Sequence, residues 1–225
     1  MKSQRNYIDL STLVCVLMLM VASLGVVYSA SSTRAFEKTG SSEDLMVKHA
    51  VKVLMSFAAM FVFMNIDYKK YKKVTKPVLL GSVVLLLLTL ALGGEVNGAT
   101  RWLRFGGLGL QPSEFAKYAL IFHLCGLMSE KKERVKDFST GFIPMMIWIG
   151  LVTVLVLLQP NFSNGSMIFA MSLIMLFVGR AKLTHVGLTF ATLLPPLIGY
   201  MLSAPYRMKR IMAYIGFGDE TGAKL

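Results

Sequence analysis

Pro77-Val78-Leu79-Leu80-Gly81-Ser82-Val83-Val84-Leu85-Leu86-Leu87-Leu88-Thr89-Leu90-Ala91-Leu92-Gly93 decides the fold class. The run holds no charged residue, and it follows directly on Lys69-Lys70-Tyr71-Lys72-Lys73-Val74-Thr75-Lys76. A helix rises about 1.5 Å per residue, so such a run reaches most of the way across a ~30 Å hydrocarbon layer. Lysines set against one end of it read as a headgroup anchor. Six more apolar segments follow the same pattern, and the seven lie at 8–30, 46–66, 77–93, 112–128, 142–158, 162–179 and 183–202. In lipid, every backbone polar group must be satisfied within the protein, which leaves helices or closed barrels. None of the segments alternates apolar with polar residues as a barrel strand does. The prediction is therefore an all-α, polytopic transmembrane helix bundle, with 1–225 as a single integral membrane domain.

Composition points the same way. Of the 225 residues, 55% are hydrophobic and only 16% are charged, where a soluble domain carries about 25% charge. A formal net charge of +12 would suit nucleic acid. The basic residues, however, sit in short loops between apolar runs, with no nucleic-acid-binding pattern around them. Cys15 and Cys125 fall inside apolar segments and read as free core thiols. The first apolar run lacks a small-residue cleavage site and reads as a first span, not as a removed signal peptide.

The basic residues also set an orientation. Lys2 and Arg5, the lysines of 67–76, Lys131, Lys132, Arg134 and Lys136 of 129–140, and Arg180 with Lys182 all fall on one side if seven spans are counted. That side is expected to be cytoplasmic, with the N-terminus inside. The regions 31–45, 94–111, 159–161 and 203–225 then face outward. Within 94–111, Arg101, Trp102, Arg104 and Phe105 lie among glycines, which suits either a plain interfacial anchor or a phosphate-binding surface. Region 203–225 carries Arg207, Lys209 and Arg210 on the outer side, against the general bias.

Few groups in the chain can carry chemistry. Glu114 and Lys117 are three residues apart at the start of the fourth segment, so a helix puts them on one face. Glu114 falls in the first turn after Pro112, where the helix dipole favours a carboxylate. Charge at membrane depth costs several kcal/mol, about 2.5–3.5 on insertion scales, so such a pair needs a reason. Two reasons stand open: a structural clasp between helices, or a group that holds a phosphate or relays a proton. His123 reads as a packed or hydrogen-bonded histidine. Asn161 and Asn164 flank a tight turn in which Asn161 or Ser163 serves as an N-cap. Pro144, and more strongly Pro195-Pro196, are expected to kink or open their helices, marking the seventh as a candidate mobile element or cavity wall. No residue spacing fits a zinc site, a nucleophile elbow or a Walker sequence.

The run Asn97-Gly98-Ala99-Thr100-Arg101-Trp102, a glycine-containing connection, then Gln111-Pro112-Ser113-Glu114-Phe115-Ala116-Lys117 resembles the SEDS family (shape, elongation, division and sporulation). These are the FtsW/RodA/SpoVE-like glycosyltransferases of bacterial wall synthesis. The family's later Gln-Pro-Asp-x-Gly-Thr turn is kept in part by Gln159 and Pro160, with Asn161 standing in place of Asp. Pro205-Tyr206-Arg207-x-x-Arg210 is similar to the start of the large extracytoplasmic loop of the division members.

The resemblance covers essentially the whole chain. It implies about ten spans, of which this sequence holds seven, as an N-terminal fragment. It implies polymerisation of lipid II, an undecaprenyl-pyrophosphate-linked disaccharide-peptide, for septal wall growth in cell division. The implied setting is the bacterial inner membrane, among membrane lipids, beside a class B penicillin-binding transpeptidase and divisome proteins. It places the essential acid in the large loop, in an Asp-Pro-x-Gly setting. Asp219-Glu220-Thr221-Gly222 is the best match, with Asp219 as the general base and Glu220 as the alternative. Arg101, Trp102, Glu114, Lys117, Arg207 and Arg210 are the expected substrate-binding and cavity residues. Arginine and lysine can stabilise a leaving pyrophosphate. No cofactor follows from the residues, although a divalent cation would suit a pyrophosphate. A lipid-linked oligosaccharide flippase and a non-catalytic division scaffold are the rival readings.

Overall fold

A computed structural model of the chain describes residues 9–39, 44–96, 99–105 and 108–203. The chain divides into two compact units, Met1–Asp67 and Tyr68–Leu225.

The first unit is a pair of helices, α1 (Leu10–Thr39) and α2 (Asp44–Met64), packed on each other. Asp9 opens α1 by accepting from the Ser11 amide at 3.0 Å and the Thr12 hydroxyl at 2.6 Å. Those bonds, with the one from the Ser11 hydroxyl, favour the ionised carboxyl and lower its pKa to about 2. Ser23 Oγ lies 3.2 Å from His49 Nε2, a polar contact between the two helices. Leu19, Val21, Leu54 and Val62 are exposed along them. In water such continuous apolar faces would demand a partner; hydrocarbon is a solvent that accepts them.

The second unit begins with α3 (Tyr68–Leu92) and contains α4 (Pro112–Lys131), α5 (Ile143–Leu158), α6 (Phe162–Val178) and α7 (Leu183–Leu202). Its core lies among α3, α4, α5 and α6, where Leu79, Leu86, Leu120, Leu124, Ile149, Val152 and Ile168 are buried. The seven predicted helices are all present. Among the described residues, five stretches are long and apolar enough to cross a membrane: Leu10–Ala30, Met46–Met64, Lys69–Leu92, Phe138–Leu158 and Leu183–Tyr200. Helix α6 is apolar but shorter. Helix α4 carries Glu114, Lys117 and His123 and is surrounded by α3, α5 and α6, which bury Lys117 and His123.

Four expectations change. The lysine-rich stretch before Pro77 is not a loop; it forms the first two turns of α3, which continues through Pro77. Lysine is a good helix former, and a helix at a membrane surface extends its own charged turns into the headgroups. Region 94–111 holds a small antiparallel sheet, with β1 (Gly94–Val96), β2 (Ala99–Phe105) and β3 (Leu108–Leu110) in that order. Gly94 pairs with Trp102 and Leu103 with Leu110. Cys15 and Cys125 are free, but both are exposed and neither is a core thiol. In a membrane bundle the apolar outer face meets lipid, so an apolar segment does not imply an inward residue. Finally, α7 runs unbroken through Pro195 and Pro196, and Pro144 sits at the start of α5, where a helix tolerates proline.

Candidate functional site

The two ends of the second unit differ in charge. At one end, Lys72 of α3 meets Glu130 of α4 at 3.4 Å, and Arg180, between α6 and α7, lies 4.0 Å from Glu133. Lys136 pairs with Glu133 at 2.6 Å. The lysine bond and charge hold the Glu133 carboxyl below the ordinary glutamate range. The basic stretches at 67–76, 129–140 and 180–182 therefore share one end, as alternating spans require. Between α4 and α5 the chain makes a 3-10 turn (Lys132–Lys136) and a wide π-type turn (Phe138–Phe142). They fold so tightly that a Cβ on Gly141 would strike the Arg134 carbonyl.

The opposite end holds the sheet, the start of α4 and the α5–α6 turn. Gln111 and Pro112 start α4, with proline in the first turn where its missing N–H costs nothing. One turn later Lys117 Nζ donates to Glu114 Oε2 at 2.6 Å. The lysine side chain is 10% exposed and the glutamate's 39%. The expected pair thus forms, with its cation inside and its carboxylate at the rim. Glu114 Oε1 accepts from Asn164 Nδ2 of α6 at 3.2 Å. Asn164 also donates to Ser113 Oγ at 3.2 Å, and Asn161 Nδ2 reaches the same hydroxyl at 3.4 Å. Ser113 and Asn161 are buried. Gln159 is fully buried beside them and donates to the Leu86 carbonyl of α3 at 3.0 Å.

Asn161 therefore does not cap α6 with its side chain. Its own carbonyl accepts from Gly165, while the amide turns across to α4. A cross-helix acceptor on a buried serine outweighs the local cap, because buried Ser113 also needs a partner. The sequence spacing of Asn161 and Asn164 signals a polar turn but does not reveal this reach.

Trp102 lies in β2, partly exposed, with its ring over Gly109: a Cβ there would come within 3.2 Å of it. Arg101 belongs to the same strand. Arg207, Lys209, Arg210, Asp219 and Glu220 lie outside the described residues. His123 is buried toward the basic end, where it lies 3.3 Å from Thr75 Oγ1 and meets the Trp148 ring edge-on at 5.3 Å. It packs as expected, away from Glu114 and Lys117. Among the described residues, no cluster of His, Cys, Asp and Glu could hold a metal ion.

Comparison with known proteins gives a consistent result. The profile of the FtsW/RodA/SpoVE family, described as "Cell cycle protein", matches residues 9–222. A protein of Geobacter metallireducens, "Probable peptidoglycan glycosyltransferase FtsW", is 35% identical over 92% of this chain and 56% of its own. "Stage V sporulation protein E" of Bacillus subtilis is 32% identical over 96% of this chain and 59% of its own. The chain thus spans somewhat more than half the length of these relatives. A chain in the structure reported as "Structural coordination of polymerization and crosslinking by a peptidoglycan synthase complex" superposes with a TM-score of 0.64 at 26% identity, covering 89% of this chain and 60% of that one. The rod shape determining protein RodA of Thermus thermophilus shares the fold, with a TM-score of 0.60 at 22% identity over 81% of this chain and 57% of that one. The polytopic helix bundle with its several apolar helices, the family profile and these relatives agree: the chain is a multi-pass membrane protein that belongs to the FtsW/RodA/SpoVE family.

Proposed function

We propose that the full-length gene product is a peptidoglycan glycosyltransferase that polymerises lipid II into glycan strands during cell division. The observation that carries this reading is the Glu114–Lys117 pair. It is an ion pair built into the end of the bundle opposite the lysine-rich turns, in a family whose relatives bear the name peptidoglycan glycosyltransferase. With the basic end cytoplasmic and the N-terminus inside, this end faces outward across the bacterial inner membrane. Lipid-linked sugar is polymerised on that side.

In this reading Lys117 and Glu114 shape the cavity that admits the lipid pyrophosphate. Arg101, Arg207 and Arg210 stabilise the leaving pyrophosphate, since guanidinium groups match its oxygens and its developing charge. Trp102 lies against the lipid headgroup region. Asp219 takes the proton from the attacking sugar hydroxyl, as a carboxylate base can. The protein works beside a class B penicillin-binding transpeptidase and other divisome proteins, and 1–225 forms one integral membrane domain.

The test is lipid II polymerisation by the purified gene product in detergent with its transpeptidase partner. Detergent removes any membrane to cross, so strand synthesis distinguishes a polymerase from a flippase or a scaffold. D219N should shorten or abolish strands, since losing a general base lowers rate by ~10²–10⁴. Normal strands from D219N with none from E220Q move the base to Glu220. Normal strands from both remove the base from this loop.

A further inference from the structure

We infer that Asn164 is a positioning residue that holds Glu114 in place when Lys117 turns to an anionic ligand; the inference rests on the reading above, in which that ligand is a lipid pyrophosphate. The geometry is specific. Glu114 is gripped through both oxygens, by the Lys117 ammonium at 2.6 Å and by the Asn164 amide at 3.2 Å. The two donors come from different helices. Asn164 Nδ2 also donates to Ser113 Oγ at 3.2 Å, so one amide nitrogen bridges Ser113 and Glu114.

Among the described side chains, the helices packed on Lys117 offer it no second carboxylate. Helices α3, α5, α6 and α7 contain no Asp or Glu, and the other carboxylate of α4, Glu130, lies at the far end paired with Lys72. The charged residues of the adjoining strands are Glu95 of β1 and Arg101 and Arg104 of β2. The remaining titratable groups on the packed helices are Tyr118, His123, Cys125 and Lys131 of α4, Tyr68, Tyr71 and the lysines of α3, and His185 and Tyr200 of α7.

An ammonium that is mostly buried and paired with a half-exposed carboxylate is set to exchange partners. When a phosphate oxygen enters, Lys117 can swing to it, and Glu114 then loses its cation. A carboxylate left with no donor pays a desolvation cost that opposes binding. The Asn164 amide is the donor that remains, and because it is neutral it does not compete for the phosphate. Asn164 therefore lowers the cost of the exchange without touching the ligand.

The experiment measures the affinity of undecaprenyl pyrophosphate for the purified full-length gene product in detergent, at pH 5 and pH 8, alongside lipid II polymerisation. N164A should weaken binding about tenfold at both pH values, the order expected for one hydrogen bond to a charged group. N164D places a second carboxyl against Glu114. At pH 8 it is ionised, repels Glu114, and should weaken binding more than N164A does. As the pH falls toward the carboxyl range, which the neighbouring Glu114 charge raises, the introduced carboxyl gains a proton and can donate as the amide did, so its defect should shrink toward or below that of N164A at pH 5. A purely structural clasp would move the thermal unfolding midpoint of the ligand-free protein in step with the affinity; the exchange predicts a pH-dependent loss of affinity larger than any shift of that midpoint. Equal defects at both pH values, wild-type affinity in N164A, or no binding by the wild-type protein would overturn the inference. If N164A does not fold, the pH dependence of N164D decides. Binding that follows this pattern without any strand synthesis by the wild-type protein would defeat the proposed function and leave the positioning role standing.

Discussion

The basic end of the second unit and its opposite end use charge in different ways. At the basic end the ion pairs are open to solvent: Lys72 with Glu130 is 44% and 59% exposed, and Arg180 with Glu133 is 80% and 72% exposed. Such pairs contribute about 0–1 kcal/mol and are screened by salt. At the other end the described residues hold fewer charges, but Lys117 is nearly enclosed and both oxygens of its partner are engaged. Exposed charge can set which way a bundle sits in a membrane. Enclosed charge cannot be left unpaired, which makes an enclosed pair the first candidate for a functional site.

The largest test of that contrast is all-or-none. In a background lacking Cys15 and Cys125, a cysteine at Thr100 should react in intact cells with a membrane-impermeant thiol reagent, and one at Lys72 should not. Labelling at Lys72 from outside would invert the assignment of the two ends.

Next comes the pair itself. Replacing Glu114 with Ala leaves the Lys117 ammonium mostly buried without its anion, a change that costs ~3–5 kcal/mol for a fully buried pair and less here, because Glu114 is partly exposed. E114A and K117A should each lower the thermal unfolding midpoint and abolish complementation of a division defect. Full complementation by both variants at normal expression would mean the pair is dispensable.

A smaller effect is expected from Gly141. A methyl group there meets the Arg134 carbonyl, a backbone atom that cannot rotate away. G141A should destabilise by ~1–3 kcal/mol, as overpacking does, measured as a lower unfolding midpoint. An unchanged midpoint would mean that the α4–α5 connection yields easily. The smallest effect belongs to Glu133. Its depressed carboxyl stabilises the folded state above the ordinary glutamate range, and that contribution fades as the pH falls through the lowered folded value. The group is fully exposed, so E133Q should leave the unfolding midpoint at neutral pH nearly unchanged. A large drop would show that this end depends on its ion pairs after all.

Much of this contrast could be read in the chain. Apolar length located all seven helices, because a lipid core imposes one scale on every span. The pairing of Glu114 with Lys117 followed from helical periodicity alone. The sheet did not follow, although Asn97-Gly98 and Gly106-Gly107 are turn dipeptides of the kind that join hairpin strands. Trp102 and the arginines drew the reading toward an interfacial loop instead. The start of α3 was misplaced because apolar character, used to mark the span, begins two turns after the helix does. The contact of Asn164 with Glu114 was not legible, since it depends on how α4 and α6 approach across 50 residues of sequence. Residues 204–225, which carry the proposed base, lie outside the described structure and remain a matter of motif.

The most direct test of the difference between the two ends is a comparison of glycan-strand synthesis from lipid II by two variants of the full-length gene product with its transpeptidase partner. One is K117A; the other replaces Lys72, Lys73 and Lys76 with Gln. The expected result is no strands from the first and near-normal strands from the second, once each is inserted and purified. Normal strands from K117A, or their loss only in the triple variant, would contradict the assignment of chemistry to the enclosed pair.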